Sequence, residues 1–152
     1  MHLKTEPSVR AIMTGSPVTL QKDNKLSFAE EVMTGGRIRH VPILDGERLV
    51  GLLSQADLLH SAFIKALHLR PSEQREFLNS LKIEDVMSKH VVSVPADTSI
   101  RAAARLMAEK KLGCLPIVEG QRLVGLVTKG DMLRCLAERT GEESPVLMDI
   151  GC

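Results

Sequence analysis

Two pairs of residues carry the chemistry a reader meets first. Ser54 and Asp57 stand three residues apart, Thr128 and Asp131 repeat the spacing, and each pair follows a glycine three positions upstream, Gly51 or Gly125. The pattern Gly-x-x-(Ser/Thr)-x-x-Asp falls where an apolar strand gives way to a helix, so hydroxyl and carboxylate lie one helical turn apart and converge on one opening. An ionised carboxylate accepts two hydrogen bonds at once, which suits the adjacent 2′- and 3′-hydroxyls of a ribose. Free backbone N–H groups at the helix start offer an anion a site. The glycine removes a side chain from the strand, so that a flat base could lie against backbone. The same residues also fit a capping box, with the acid in the first turn favoured by the helix dipole. Capping and binding can coexist, and two matched copies favour binding.

The copies belong to a longer duplication. Sliding the chain by 74 positions aligns Val9–Leu59 with Ile83–Leu133 without a gap. Identities include Met13/Met87, Asp23/Asp97, Met33/Met107, Pro42/Pro116, Gly46/Gly120 and the run from Arg48/Arg122 to Leu52/Leu126. Each copy has the same punctuation. A short helical turn (Val9–Met13, Ile83–Met87) leads into a brief strand (Pro17–Leu20, Val91–Val94). Turn residues with capping potential follow, Asp23-Asn24 and Asp97-Thr98-Ser99. An amphipathic helix comes next, with Leu26, Ala29, Val32 and Met33 on one face, repeated by Ile100, Ala103, Leu106 and Met107. Gly35-Gly36 can supply its left-handed end, and Lys110-Lys111 with Gly113 marks the same boundary in the second copy. Two strands then flank Asp45-Gly46 or Glu119-Gly120, where a tight hairpin needs positive φ. A final helix starts at Ser54 or Thr128, carrying Leu58, Leu59, Phe63 and Leu67, or Met132, Leu133 and Leu136.

These boundaries give an α/β (α+β) chain of two tandem β-α-β-β-α units: unit 1 over residues 8–68, a helical linker over 69–81, unit 2 over 82–139 and a weakly patterned, mobile tail over 140–152. In the linker, Pro71 biases Arg70 away from helix, and Ser72 can cap a new helix through Phe77, Leu78 and Leu81. One unit is too small to bury so apolar a face. The two are expected to pack sheet to sheet about a pseudo-two-fold axis, leaving two equivalent clefts.

Composition narrows the functions. Of the 152 residues 43% are hydrophobic, supplied by aliphatic residues, Ala and Met, because Trp and Tyr are absent and Phe occurs three times. The formal charge of +1 gives no electrostatic footprint for nucleic acid, and aromatic platforms for single strands are missing. No apolar run approaches the roughly 20 residues of a membrane span, and the N-terminus lacks a signal peptide's apolar region. Cys114, Cys135 and Cys152, without Cys-x-x-Cys spacing, suit a reducing cytoplasm, and no His lies at zinc-ligand spacing from a Cys pair. No nucleophile–base constellation stands out, so the chain reads as a binding module rather than an enzyme.

The duplicated pattern resembles the cystathionine-β-synthase-type (CBS) domain pair, or Bateman module. The resemblance rests on Ile12-Met13-Thr14 and Val86-Met87-Ser88, on Arg39-His40-Val41-Pro42-Ile43 and Gly113-Cys114-Leu115-Pro116-Ile117, and on the two Ser/Thr-x-x-Asp endings. It implies a pair that binds adenosyl ligands such as AMP, ADP, ATP, S-adenosylmethionine or NAD in clefts between the units, with no required cofactor and no metal. Carried onto matching positions, Asp57 and Asp131 would hold ribose, helped by Ser54 and Thr128. Met13, Thr14, Pro17, Val41 and Pro42, and their counterparts Met87, Ser88, Val91, Leu115 and Pro116, would line the base pockets. Arg37, Arg39 and His40 would approach phosphates in the first copy. The second has Lys111, Gly113 and Cys114 at those places, which leaves Lys129, matching Gln55, as its phosphate candidate; Arg37 and Arg39 equally fit a solvated strand edge. The resulting expectation is a stand-alone cytoplasmic sensor, a homodimer that signals to a protein target. The alternative is a ligand-free dimerisation or partner-docking module.

Overall fold

The computed structural model describes residues 6–66 and 69–140, the side chains of 61–66 and 139–140 excepted. The Phe63 side chain, Leu67 and the tail from 141 onward lie outside the described residues. In chain order the elements are β1 (Thr14–Gly15), β2 (Leu20–Gln21), α1 (Leu26–Gly36), β3 (His40–Asp45), β4 (Arg48–Ser54), α2 (Gln55–Ala66), α3 (Pro71–Ser80), α4 (Ile100–Lys110), β5 (Cys114–Glu119), β6 (Arg122–Thr128) and α5 (Lys129–Thr140), with 3-10 turns at Val9–Ala11 and Ile83–Asp85. The order helix, strand, strand, helix recurs in both copies, preceded by β2 in the first and by a single bridge at Val94 in the second.

Two compact bodies divide the chain, and they are not the two repeats. Body one is Pro17–Val91; body two joins the chain up to Ser16 to the chain from Val92 onward. The lead-in of each repeat therefore completes the body built on the other. In body one, β2 runs parallel to β3, which pairs antiparallel with β4. Beyond β4 lies the second repeat's lead-in: Leu52 N–H donates to Ser88 O (3.0 Å) and Ser88 N–H to Leu52 O (2.9 Å). In body two, β5 pairs with β6, and β6 pairs with β1 from the first repeat through Thr14↔Leu126 and Gly15↔Gly125. The anchoring bonds match position by position. Ile83 N–H donates to Asn24 O (2.9 Å) and Val9 N–H to Thr98 O (2.8 Å); Leu26 N–H donates to Leu81 O (2.8 Å) and Ile100 N–H to Pro7 O (3.0 Å).

Burial seals the exchange. Ile83 is fully enclosed in the core of body one with Leu26, Met33, Ile43 and Leu53, and Val9 is fully enclosed in that of body two with Leu115, Ile117 and Val127. Each such side chain contributes about 1.5–3 kcal/mol by leaving water. The linker helix α3 belongs to body one, where Leu78 is buried and Phe77 and Leu81 pack against the same core.

Several local expectations change. Pro17–Leu20 shrinks to β2, where Pro17 has no N–H to give a ladder, and in the second copy Val94 alone bridges to Ile117. Asp23-Asn24 do not cap α1: Asn24 Oδ1 accepts from Gln21 N–H (2.8 Å) in the preceding turn, and Lys25 is the N-cap. Ser99 does cap α4, accepting from Ala102 N–H (3.0 Å). The linker helix starts at Pro71 rather than after Ser72, with extended Arg70 before it, as a proline at the first helical position favours.

The left-handed residues are Arg37 (φ 53°) and Lys111 (φ 56°), not Gly35-Gly36. Ile38 N–H donates to Met33 O and Leu112 N–H to Met107 O (3.0 and 2.9 Å), closing two Schellman motifs. That closure folds the residue after the left-handed one onto the helix, so apolar Ile38 and Leu112 determine where each helix ends. Gly46 (φ 66°) and Gly120 (φ 65°) turn the hairpins as expected.

Gly51 and Gly125 give the largest correction. A Cβ at Gly51 would overlap Met87 Sδ, and one at Gly125 would overlap Met13 Sδ. The glycines make room for the methionine of the exchanged lead-in, not for a base. Gly125→Ala is expected to cost about 1–3 kcal/mol in urea unfolding. It should cost more than Gly51→Ala, because the Thr14 carbonyl oxygen also stands 3.2 Å from the added carbon. Adding Met13→Ala should recover part of that loss, and strict additivity of the two changes would refute the contact.

Candidate functional site

The strand-to-helix junction is built the same way twice. β4 ends at Ser54 and β6 at Thr128, and the following helix takes that residue as its cap. Ser54 N–H donates to Asp57 Oδ2 (3.2 Å), while Asp57 N–H donates to Ser54 Oγ (2.9 Å). Thr128 N–H donates to Asp131 Oδ2 (2.8 Å), and Asp131 N–H to Thr128 Oγ1 (3.3 Å). These are reciprocal capping boxes, each satisfying two backbone donors that a helix start leaves without partners. The capping reading of the sequence is therefore correct in both copies.

Capping uses one carboxylate oxygen. Asp57 is half-buried, and its Oδ1 has no partner among the described residues. Asp131 differs. Its residue is 9% exposed, Thr128 Oγ1 also donates to its Oδ2 (3.1 Å), and its Oδ1 is ion-paired with the Arg134 guanidinium. Arg134 was missed in the sequence. The signal was there in the Asp131–Arg134 spacing, since residues three apart share a helix face, whereas the first copy has His60 at that position.

The flanking residues fall into place around these junctions. His40 is the register partner of Ser54, and Cys114 that of Thr128. The helix after each cap is pinned to the residue before the facing strand: Gln55 N–H donates to Arg39 O (2.8 Å) and Lys129 N–H to Gly113 O (3.1 Å). Arg39 therefore stands at the rim of the first junction. Arg37, exposed at the end of α1, lies two residues earlier in the chain, and no hydrogen bond joins it to Ser54 or Asp57 among the described residues. Met87-Ser88 come to the first junction beside Gly51 and Leu52, and Met13-Thr14 to the second beside Gly125 and Leu126. Each clamp thus meets the lead-in of the other repeat.

Other candidates are placed differently. Val41, Pro42, Leu115 and Pro116 are fully buried, so their side chains support the strand behind the junction and offer no face to a ligand. Pro17 and Val91 are the first and last residues of body one, half-buried, and neither hydrogen-bonds to the clamp among the described residues. Lys129 precedes Asp131 by two residues, about 200° around a helix. It lines instead an apolar groove of about 260 Å³ with Met107, Leu112, Met132 and Leu133. The cation beside the second clamp is Arg134. Burial pushes the Cys114 thiol up to about 12, so it stays protonated at neutral pH and is no nucleophile. Among the described residues no group of three His, Cys, Asp or Glu could hold a metal ion, and no helix is long and apolar enough to cross a membrane.

Comparison with known proteins identifies the family. The family model described as CBS domain matches residues 9–63 and again 83–138. A crystal structure from Vibrio cholerae, assigned to an acetoin utilization protein (AcuB), superposes with a TM-score of 0.74 at 32% identity, covering 92% of this chain and 99% of that one. The CBS domain pair of protein MJ0100, solved in complex with 5′-methylthioadenosine and S-adenosyl-L-methionine, gives a TM-score of 0.71 at 25% identity over 88% of this chain and 98% of that one. The protein YlbB of Bacillus subtilis, which is uncharacterised, is 32% identical over 114 residues, spanning 74% of this chain and 69% of its own length. The A-adding tRNA nucleotidyltransferase of Geobacter sulfurreducens is 26% identical over 140 residues, and the chain spans 14% of its length.

The two caps should be separable by stability. Ser54→Ala and Thr128→Ala are each expected to cost about 1 kcal/mol in denaturant unfolding. Asp131→Ala should cost more than Asp57→Ala by up to about 1 kcal/mol, the range of an exposed ion pair. The difference should shrink at 1 M salt as that pair is screened.

Proposed function

The chain belongs to the CBS domain family, and on that premise we propose that it senses an adenosine-containing ligand held by its Ser/Thr-x-x-Asp clamps. A CBS domain pair is a regulatory, non-catalytic module, so binding rather than turnover is its output. The observation that carries the proposal is the unspent oxygen of Asp57. The capping box uses Oδ2, and Oδ1 remains as an acceptor beside the Ser54 hydroxyl. A vicinal diol needs acceptors of that kind, and a carboxylate supplies them with charge assistance.

Surrounding groups support the same reading. Ser88 and Met87 stand by the first clamp and Thr14 and Met13 by the second, supplying hydroxyl and thioether surface where a base would lie. Arg39 at the first rim offers a phosphate its charge. The MJ0100 pair binds 5′-methylthioadenosine and S-adenosyl-L-methionine, which share adenine and ribose and carry no phosphate. The common feature to be recognised is then the riboside. Ligand would signal by binding two arrangements of the module with different affinity.

The test must separate binding from capping, since Asp→Ala removes both. Asp57→Asn keeps an acceptor for Ser54 N–H but loses the second anionic oxygen. Calorimetry and thermal melting with AMP, ATP, adenosine, S-adenosylmethionine and NAD should reveal a ligand whose presence at about 100 times its Kd stabilises the protein by roughly 2.7 kcal/mol. Asp57→Asn should weaken it at least tenfold with little change in the unliganded melting point. Absence of binding by every member of that panel would refute the proposal.

A second reading, compatible with the first, rests on another matched pair. Leu59 and Leu133 occupy equivalent positions on α2 and α5 and are 61% and 66% exposed. An exposed large apolar side chain at the same place in each copy fits a surface of each body that assembles with a second chain. Leu59→Asp with Leu133→Asp should convert a dimer to a monomer in sedimentation velocity. An unchanged sedimentation coefficient would dismiss this role for the pair.

A further inference from the structure

Asp57 and Asp131 occupy equivalent positions and cap their helices in the same way, yet their second oxygens meet different fates. Oδ1 of Asp131 is taken by Arg134, whose side chain is 67% exposed while that of Asp131 is 9% exposed. Oδ1 of Asp57 has no partner among the described residues. The difference lies in two positions of the repeat: Arg134 replaces His60, and Gly130 replaces Ala56. Gly130 lies beside the guanidinium, where an added Cβ would make ordinary contact, 3.4 Å from Arg134 Nη1 and 3.6 Å from Thr128 Oγ1. The second clamp is thus covered by an exposed cation anchored on the very carboxylate a diol would use.

We propose that Arg134 makes the second clamp selective for phosphorylated ribosides, while the first accepts ribosides with or without phosphate. The inference rests on the ribose-clamp reading above. A diol approaching Asp131 must draw Oδ1 away from the guanidinium. A neutral riboside then leaves Arg134 without an anion. A nucleotide brings its own, and guanidinium meets phosphate through two parallel hydrogen bonds that a carboxylate–diol pair does not rival. The exposed arginine stem can swing from the carboxylate to a phosphate on the bound ligand, exchanging one ion pair for another. At the first clamp no such exchange is needed: Asp57 Oδ1 has no partner among the described residues, and His60 is exposed on the helix.

The test is calorimetric titration of the full chain with adenosine and with AMP. The wild type should bind two AMP but one adenosine per chain, and Asp57→Asn should abolish the adenosine site. Arg134→His, which gives the second copy the residue of the first, should open a second adenosine site and weaken AMP there about tenfold, or about 1.4 kcal/mol. The reciprocal Ala56→Gly/His60→Arg variant should weaken adenosine at the first clamp by about tenfold and spare AMP. Ala56, His60 and Arg134 are exposed on their helices, and circular dichroism melts would show that all the variants fold. Two equal adenosine sites in the wild type, or a preference unmoved by both exchanges, would overturn the role of Arg134 while leaving the ribose clamps standing. Binding of neither compound to any variant would overturn both.

Discussion

The structure depends on a reciprocal set of backbone hydrogen bonds. Each repeat supplies a lead-in that the other repeat's body lacks, and the bonds that hold it recur at a constant offset: Ile83 to Asn24 and Val9 to Thr98, Leu26 to Leu81 and Ile100 to Pro7. Neither body can satisfy its own buried donors without the exchanged segment, and an unpaired buried amide is costly. Ile83 and Val9 add the apolar side of the constraint, each fully enclosed in a core that belongs to the other repeat. Methionine and glycine complete it, the thioethers of Met87 and Met13 lying where Gly51 and Gly125 carry no side chain.

This exchange gives the clamps their surroundings. Because the lead-in pairs with the strand that ends in the cap, Ser88 and Thr14 arrive two residues from Ser54 and Thr128 along the ladder, at Leu52 and Leu126. The caps themselves join fold to function. A carboxylate has two oxygens, and helix capping needs one of them. What the other does differs between the copies: it has no partner among the described residues at Asp57 and is bound to Arg134 at Asp131. Two junctions built on one pattern have become chemically distinct through Arg134 in place of His60, one turn along the helix, while both keep the hydroxyl and the carboxylate.

Much of this was legible along the chain. The duplication, the order of elements, the glycines at positive φ in the hairpins and the amphipathic faces of α1 and α4 all follow from local rules, because turns, periodicity and caps are set by residues within a few positions of one another. The capping boxes were legible for the same reason. Helix ends were less so. Gly35 and Gly36 are the obvious left-handed residues, but Ile38 must fold back onto Met33, and that tertiary demand moved the cap to Arg37.

The sequence by itself determined that two like units exist, that each ends in a capped Ser/Thr-x-x-Asp junction, and that the copies differ beside it, with Arg37, Arg39 and His40 in one and Lys111, Gly113 and Cys114 in the other. Only the tertiary structure decided which lead-in completes which sheet, why Gly51 and Gly125 lack side chains, and which cation attends the second clamp. The reason is the repeat itself. Segments as similar as Ile12-Met13-Thr14 and Val86-Met87-Ser88 fit either sheet by pattern, so periodicity cannot choose between them. The choice falls to long-range pairing and burial, and with it go Met87 against Gly51, Met13 against Gly125 and the separate environments of Asp57 and Asp131.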